Sequence, residues 1–149
     1  MQFEPSSLTV NILLVEDNPG DVRLTETAFQ EFSPDSVIHV AHDGVEALEF
    51  LRKEGQFETA PTPNLILLDV NLPRKNGHEV LQEVKEHKQF RKIPVIMLTT
   101  SASHHDIRRA YDLHANCYLT KPVDLEDFLS MIEIFSQYWI SVASLPPRS

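Results

Sequence analysis

The sequence predicts an α/β domain with a five-stranded parallel sheet and helices on both faces. Five short apolar runs, rich in β-branched residues, alternate with longer segments whose apolar residues recur at helical spacing. The first, third and fourth runs are apolar almost throughout, which is typical of central parallel strands, whereas the second alternates and indicates an edge strand. The predicted strands are residues 10–15, 36–41, 65–69, 95–99 and 117–120.

Cap and spacing signals predict a helix after each strand. Asn18 followed by Pro19 provides an N-cap and a proline at the first helical position, so the first helix is expected to reach about residue 31. Asp43 is a candidate cap for a second helix that ends near Gly55, before a loop over residues 55–63. Apolar residues at helical spacing mark three further helices, around residues 80–84, 107–114 and 125–143.

Length and composition indicate one domain and exclude several classes of protein. The chain has 149 residues, so we expect a single domain over 1–149, with a core of about 10–143, a Pro-rich tail over 144–149 and no effector domain. A formal net charge of -9 without a basic stripe argues against nucleic-acid binding. Cys117 is the single cysteine and is predicted to be a core residue. The sequence also shows no signal peptide and no membrane-spanning run, and with the single cysteine this predicts a cytoplasmic location.

Polar side chains follow four of the predicted strands at ends that should share one edge of the sheet. In a doubly wound sheet, ligands bind outside the carboxyl ends of the strands, and the flavodoxin-like order 2-1-3-4-5 places strands one and three at the switch point. Each residue alone has an ordinary explanation as a helix cap, a turn former or a solvated lysine, but their joint placement predicts one pocket. These residues are Glu16 and Asp17, Asp69, Thr99 and Thr100, and Lys121.

A pocket with three carboxylates requires cations. At about 4 Å, each pair of carboxylates repels by about 4 kcal/mol at an effective dielectric near 20. Mg²⁺ is a hard ion that takes carboxylate oxygens and retains several waters. The sequence therefore predicts a Mg²⁺ site, with Lys121 supplying the remaining positive charge.

Four separated segments resemble the signature segments of two-component receiver domains. They are residues 13–17 (LLVED), 67–73 (LLDVNLP, with Gly77), 94–99 (PVIMLT) and 118–122 (YLTKP). The resemblance extends from about Asn11 to Ile134 and is specific, because all the segments occur in order. Glu16 is the longer of the two acids that the family accepts at its position.

This resemblance implies the roles of the acidic residues. Asp69 would be the phosphoacceptor, whose carboxylate attacks the phosphoryl group of a phosphohistidine on a histidine kinase. Asp17 would ligate Mg²⁺ directly, Glu16 would do so through water, and the backbone carbonyl of Asn71 would complete the protein ligands. The domain would be a signalling protein with slow autophosphatase activity and not a metabolic enzyme.

The resemblance also implies a switch. Lys121 would pair with one phosphoryl oxygen, the Thr99 hydroxyl would bond another, and Tyr118 would rotate into the space behind Thr99. Thr100 stands where the family often has alanine, and its larger side chain would hinder that rotation. The bond between Lys121 and Pro122 resembles the family's cis peptide, which would turn Lys121 inward.

The last predicted helix carries two apolar stripes. One suffices to cover a sheet, so the second indicates a partner surface, although a wide core-facing helix or packing by the tail would also explain it. The aromatic-rich end, with residues 18–21 (NPGD) and 114–121, resembles the single-domain response regulators of cyanobacterial phytochromes. That resemblance implies a phytochrome-type kinase and a homodimer through the fourth helix, fifth strand and fifth helix. The first stripe is Leu125, Phe128, Leu129, Ile132, Phe135 and Trp139, and the second is Met131, Ile134, Tyr138, Val142 and Leu145.

Three other functions fit the sequence less well. A phosphohydrolase with an aspartate nucleophile usually carries a second acid two residues later on an early strand, where this chain has Asn71 after the third strand. Four glycines and no Gly-rich phosphate loop disfavour dinucleotide binding. A scaffold that does not depend on phosphorylation would usually have lost one of the acidic residues.

Adjacent His104 and His105 point about 100° apart on a helix and are predicted to be surface residues rather than a metal pair.

Overall fold

A computed structural model describes residues 9–146 and confirms the predicted sheet. All strands are parallel, in the order β2-β1-β3-β4-β5, so the strand order reverses between β1 and β3. Asp69 lies directly after β3 instead of ending it. The strands are β1 (Val10–Val15), β2 (Ser36–Ala41), β3 (Leu65–Leu68), β4 (Val95–Thr99) and β5 (Cys117–Thr120).

A helix follows each strand, as predicted. The second ends earlier than expected, because Lys53 adopts a left-handed conformation (φ 58) and its N–H closes the last turn. A short 3₁₀ turn, Gly55–Phe57, lies inside the predicted loop. The last helix changes from α to π hydrogen bonding after Phe135 and continues to Val142. The helices are α1 (Pro19–Phe32), α2 (Gly44–Arg52), α3 (Gly77–Glu86), α4 (His104–Asp112) and α5 (Leu125–Phe135), followed by the π segment Ser136–Val142.

Two apolar layers cover the sheet. Alternating residues of β1 point into different layers, with Leu13 packed beneath α2, α3 and α4 and Leu14 packed beneath α1 and α5. Every residue of β3 is buried, whereas β2 and β5 form the two edges, as the alternation of β2 predicts. Cys117, predicted to be a core residue, packs against the core but is only half-buried, because β5 is an edge strand.

Some sequence predictions fall outside the described residues. Residues 147–149 of the Pro-rich tail and the side chain of Val142, a member of the second apolar stripe, are among them. Over residues 9–146, no helix has both the length and the apolar character needed for a membrane crossing.

Candidate functional site

Backbone hydrogen bonds that continue the sheet hold the predicted site residues at its carboxyl edge. The N–H of Asp69 donates to the carbonyl of Val15 (3.1 Å), and that of Lys121 donates to the carbonyl of Thr99 (2.7 Å). The N–H of Glu16 bonds in the same way to the last residue of β2. These side chains therefore project from a rigid part of the fold, which keeps their separations fixed.

Three carboxylates meet at this edge, as the sequence predicts. Glu16, Asp17 and Asp69 each offer a carboxylate oxygen, and these oxygens lie within 4.8 Å of one another. Glu16 and Asp69 are 3% and 8% exposed, while Asp17 is open to solvent. Carboxylate oxygens with an open, hydrated side are the donor set that Mg²⁺ prefers, so this cluster fits a magnesium ion.

Lys121 is buried among acids. Its Nζ forms an ion pair with Glu16, lies 3.3 Å from Asp21 Oδ2 and lies 3.9 Å from Asp69 Oδ2. Burial alone would lower the pKa of Lys121, but the hydrogen bond and charge of Glu16, with Asp69 and Asp21, raise this pKa above its usual value. Lys121 is therefore charged at neutral pH. Sequence reasoning missed Asp21, because no spacing in the sequence indicates its contact with Lys121, which lies 100 positions away.

Glu16 depends on Lys121 for its charge. Burial raises the pKa of Glu16 to about 7, with a smaller contribution from the charge of Asp69 and an opposing one from Lys121. The second carboxylate oxygen, Oε2, accepts a hydrogen bond from the N–H of Asn18 (3.2 Å). Removal of Lys121 would leave the buried Glu16 carboxyl group without its ion pair, which is far more costly than breaking an exposed ion pair.

The loop between β3 and α3 is held against both Asp69 and α2. The N–H of Asn71 donates to Asp69 Oδ1 (3.2 Å), and Gly77 packs so closely on the Asp69 carbonyl that a Cβ would overlap it. Arg74 adopts a left-handed conformation (φ 63) and donates two hydrogen bonds to Asp43, from Nε to Oδ2 (2.9 Å) and from Nη2 to Oδ1 (3.1 Å). Asp43 also caps α2, so this ion pair joins the loop to the start of that helix.

The predicted switch residues meet at the loop between β4 and α4. Thr99 is fully buried, and its Oγ1 accepts a hydrogen bond from the N–H of Ser101 (3.3 Å). The half-buried Tyr118 donates its hydroxyl to the carbonyl of Ser101 (2.8 Å), while the Ser101 hydroxyl donates to Asp106 (2.6 Å). Thr100 points to solvent and does not prevent this contact. Ser101 thus connects Thr99 to Tyr118.

The structure decides the isomer of the Lys121–Pro122 bond, which the sequence leaves open. No cis peptide bond occurs in residues 9–146, so Lys121–Pro122 is trans, the isomer that X–Pro bonds generally favour. Lys121 nevertheless turns inward, because the carboxylates of Glu16 and Asp69 attract its ammonium group.

The histidines do not form a second metal site. His104 and His105 are exposed at the start of α4, as predicted. In the described part of the chain, the only group of three or more His, Cys, Asp or Glu side chains close enough to hold a metal is Glu16, Asp17 and Asp69.

A separate apolar groove of about 580 Å³ lies between β5 and α5. Ile134 and Tyr138 of the second stripe are 65% and 57% exposed beside it. The first stripe is mostly core, although Leu125 is exposed, contrary to its expected place in the core. The groove is lined by Asn116, Cys117, Leu119, Asp127, Ser130, Met131, Ile134, Phe135, Tyr138 and Trp139.

Known proteins are similar to this chain in both sequence and fold. A protein-family model described as the response regulator receiver domain matches residues 12–133. The chain is 43% identical over 135 residues to Response regulator Rcp1 of Synechocystis sp., covering 91% of this chain and 92% of that protein. The crystal structure of the Mn(2+)-bound form of Rcp1 is similar with a TM-score of 0.87 and 42% identity, over 92% of this chain and 99% of that one. The phosphorylated cyanobacterial phytochrome response regulator RcpA has a TM-score of 0.89 and 42% identity, over 93% of this chain and 99% of that one.

Proposed function

This chain belongs to the response regulator receiver domain family, and from that premise we propose that it is a phosphoacceptor in a two-component phosphorelay, with Asp69 receiving the phosphoryl group. The observation that carries this proposal is the convergence of Glu16, Asp17 and Asp69 within 4.8 Å, with the Lys121 ammonium 3.9 Å from Asp69 Oδ2. Such a site neutralises charge on a nucleophile and on the group it attacks.

Asp69 carries out the covalent step. One of its carboxylate oxygens attacks the phosphorus of a phosphohistidine on the kinase, the N–P bond breaks, and its electron pair stays with the leaving imidazole. Mg²⁺ would be held by Asp17, the Asn71 carbonyl, Asp69 itself and, through water, Glu16, and it would neutralise charge on the phosphoryl oxygens. Attack by water on the same phosphorus would later release inorganic phosphate and restore the Asp69 carboxylate, which is the slow autophosphatase activity of the domain.

Lys121 and Thr99 serve the remaining phosphoryl oxygens. The buried ammonium of Lys121 is charged and already faces the Asp69 carboxylate. The Thr99 hydroxyl lies at the adjacent strand end, where its oxygen accepts a hydrogen bond from the N–H of Ser101 and its proton can be donated. A phosphoryl oxygen would accept a hydrogen bond from that hydroxyl and draw Thr99 toward Asp69.

Movement of Thr99 would alter the loop that Tyr118 contacts. The N–H of Ser101 donates to Thr99, and the carbonyl of Ser101 accepts from the Tyr118 hydroxyl. Movement of Thr99 would therefore shift Ser101 and, through it, Tyr118. Phosphorylation would thereby change the population of two arrangements of the surface around β5.

The proposed phosphodonor is a histidine kinase of the phytochrome type. The similarity to Rcp1 and to the phytochrome response regulator RcpA supports this choice. We propose that the protein acts in the cytoplasm, with residues 12–133 as its receiver domain. We expect neither nucleic-acid nor membrane partners, because 22 acidic residues outnumber 13 Lys and Arg residues.

We further propose that two copies associate through α4, β5 and α5. The apolar groove and the exposed Ile134 and Tyr138 lie on that face, and contiguous apolar surface of this kind usually marks association. Sedimentation velocity at high micromolar concentration should show a dimer. A strict monomer with and without phosphorylation would contradict this part of the proposal.

The deciding experiment is labelling by acetyl phosphate in the presence of Mg²⁺, measured by intact-protein mass spectrometry. The wild type should gain one phosphoryl group, and Asp69→Asn should gain none, because an amide is not a competent nucleophile here. Asp35→Asn is a matched control, since Asp35 is an exposed acid in the turn before β2. If no Asp69-dependent adduct forms, the protein is better explained as a scaffold that does not need phosphorylation. If the adduct does form, phosphotransfer from a panel of histidine kinases would test the choice of donor.

A further inference from the structure

Asp21 contacts the ammonium group that the proposed phosphoryl chemistry requires. Its Oδ2 lies 3.3 Å from Lys121 Nζ, closer than the 3.9 Å that separates Nζ from Asp69 Oδ2. The Asp21 side chain is 41% exposed, whereas Glu16, the other acid on Lys121, is buried. Lys121 is therefore paired with one buried acid and with a second acid that is open to solvent.

The start of α1 positions Asp21 beside Lys121. Asn18 caps the helix, and its side-chain oxygen accepts a hydrogen bond from the N–H of Asp21 (3.0 Å). Pro19 restricts the first turn. The backbone of Asp21 is therefore fixed by the cap, and only its side chain needs to rotate for the carboxylate to leave Lys121.

We propose that Asp21 is a positioning residue that competes with the phosphoryl group for Lys121. This inference rests on the proposed phosphoacceptor function of Asp69. In the unphosphorylated protein, the Asp21 carboxylate shares the ammonium with Glu16. A phosphoryl group on Asp69 is also anionic, so it both displaces Asp21 from Lys121 and repels it toward solvent. Asp21 thus weakens the phosphorylated state and slows labelling by small anionic donors.

The expected effect is modest because Asp21 is partly exposed. An ion pair at such a site is screened by water and salt, so removal of its charge should change an anion's affinity by about threefold at low salt. The effect on a cation should have the opposite sign, since a nearby carboxylate attracts Mg²⁺ and repels a phosphoryl analogue.

The test compares the binding of two probes to the full chain by titration calorimetry. Beryllofluoride, in the presence of saturating Mg²⁺, reports on the phosphoryl position, and Mg²⁺ alone reports on the metal position. Asp21→Asn should bind beryllofluoride about threefold more tightly than the wild type, with a difference that shrinks on adding salt. The same variant should bind Mg²⁺ no more tightly, and Asp21→Glu, which keeps the charge, should remain closer to wild type than Asp21→Asn does.

Glu26→Gln provides the matched control. Glu26 lies on the same helix and its loss changes the net charge equally, but it lines a different groove, with Gln30, Pro34 and Ser36. It should leave beryllofluoride affinity unchanged, and an equal tightening in this control would show a general charge effect and overturn the proposal. Unchanged or weaker beryllofluoride binding by Asp21→Asn would also overturn the proposal, since loss of a purely structural residue would weaken the binding of both probes. Failure of the wild type to bind beryllofluoride in an Asp69-dependent manner would instead contradict the proposed function.

Discussion

The strand β5 takes part in two regions of opposite character. At its carboxyl end, Lys121 joins a buried, charged site in which every group depends on another. Along its outer side, Cys117 and Leu119 line an apolar groove next to the exposed Ile134. The charged site is thus built from one chain, whereas the apolar face is the surface on which a partner would act. Tyr118 points to the face of the sheet opposite to Cys117 and Leu119, and its hydroxyl donates to Ser101, which also contacts Thr99.

The largest effect should follow from Lys121→Met. This change removes the ammonium and leaves the buried Glu16 carboxylate without its ion pair. We expect the free energy of unfolding to fall by about 3 kcal/mol, measured by urea denaturation. Labelling by acetyl phosphate should fall about 100-fold, because one preorganised charge at the phosphoryl group is lost.

Lys75→Met is the control for Lys121→Met. Lys75 also pairs with an acid, Glu83, but this pair is about a third exposed. Such a pair contributes at most about 1 kcal/mol. Equal losses of stability in the two variants would contradict the view that burial makes the site interdependent.

The apolar face should respond to a different substitution. Ile134→Glu places a charge at an exposed position beside the groove and should weaken the proposed dimer at least about tenfold, by about 1.4 kcal/mol or more, in sedimentation equilibrium. Labelling of Asp69 should remain close to wild type, because Ile134 does not contact the acidic cluster. The control Glu133→Gln alters a neighbouring exposed residue without adding charge. Loss of labelling together with loss of the dimer would show that the two regions are not separable in this way.

The same contrast explains what the sequence could predict. The strands and the acidic residues after them were predictable, because apolar runs define buried strands and parallel strands bring their carboxyl ends together. Asp21 was not, because its partner, Lys121, lies 100 positions away and only the start of α1 brings them into contact. The pairing of Arg74 with Asp43 was missed for the same reason. Leu125 was predicted to be buried from its spacing alone, but it is the first residue of α5 and lies in solvent.

Tyr118→Phe should probe the link between the two regions. It removes the hydroxyl that donates to the Ser101 carbonyl and leaves the ring in place. We expect a loss of about 1 kcal/mol in the free energy of unfolding, typical of one hydrogen bond. Tyr111→Phe, at an exposed position on α4, should have no measurable effect. If phosphorylation strengthens the proposed dimer, Tyr118→Phe should reduce that strengthening without changing the extent of Asp69 labelling.

The smallest effect should come from Asp43→Asn, which tests how the β3–α3 loop is held next to Asp69. Asparagine keeps an oxygen for the cap of α2 but loses the ion pair with Arg74, so the free energy of unfolding should fall by about 0.5 kcal/mol near pH 7.

Burial alone would raise the pKa of Asp43, but hydrogen bonds from the Glu46 N–H and from Arg74 hold this pKa below its usual value of 3.8. A carboxyl whose pKa is lower in the folded state stabilises the protein above its unfolded-state pKa and loses that contribution as the pH falls through the folded-state pKa. The difference between wild type and Asp43→Asn should therefore be constant above about pH 5 and shrink below about pH 4, measured by urea denaturation across that range. Arg52→Gln removes an exposed ion pair with Glu83 at the other end of α2, and as the control it should lower the free energy of unfolding by no more than Asp43→Asn does near pH 7. A pH-independent difference for Asp43→Asn would mean that the carboxylate charge does not hold the loop.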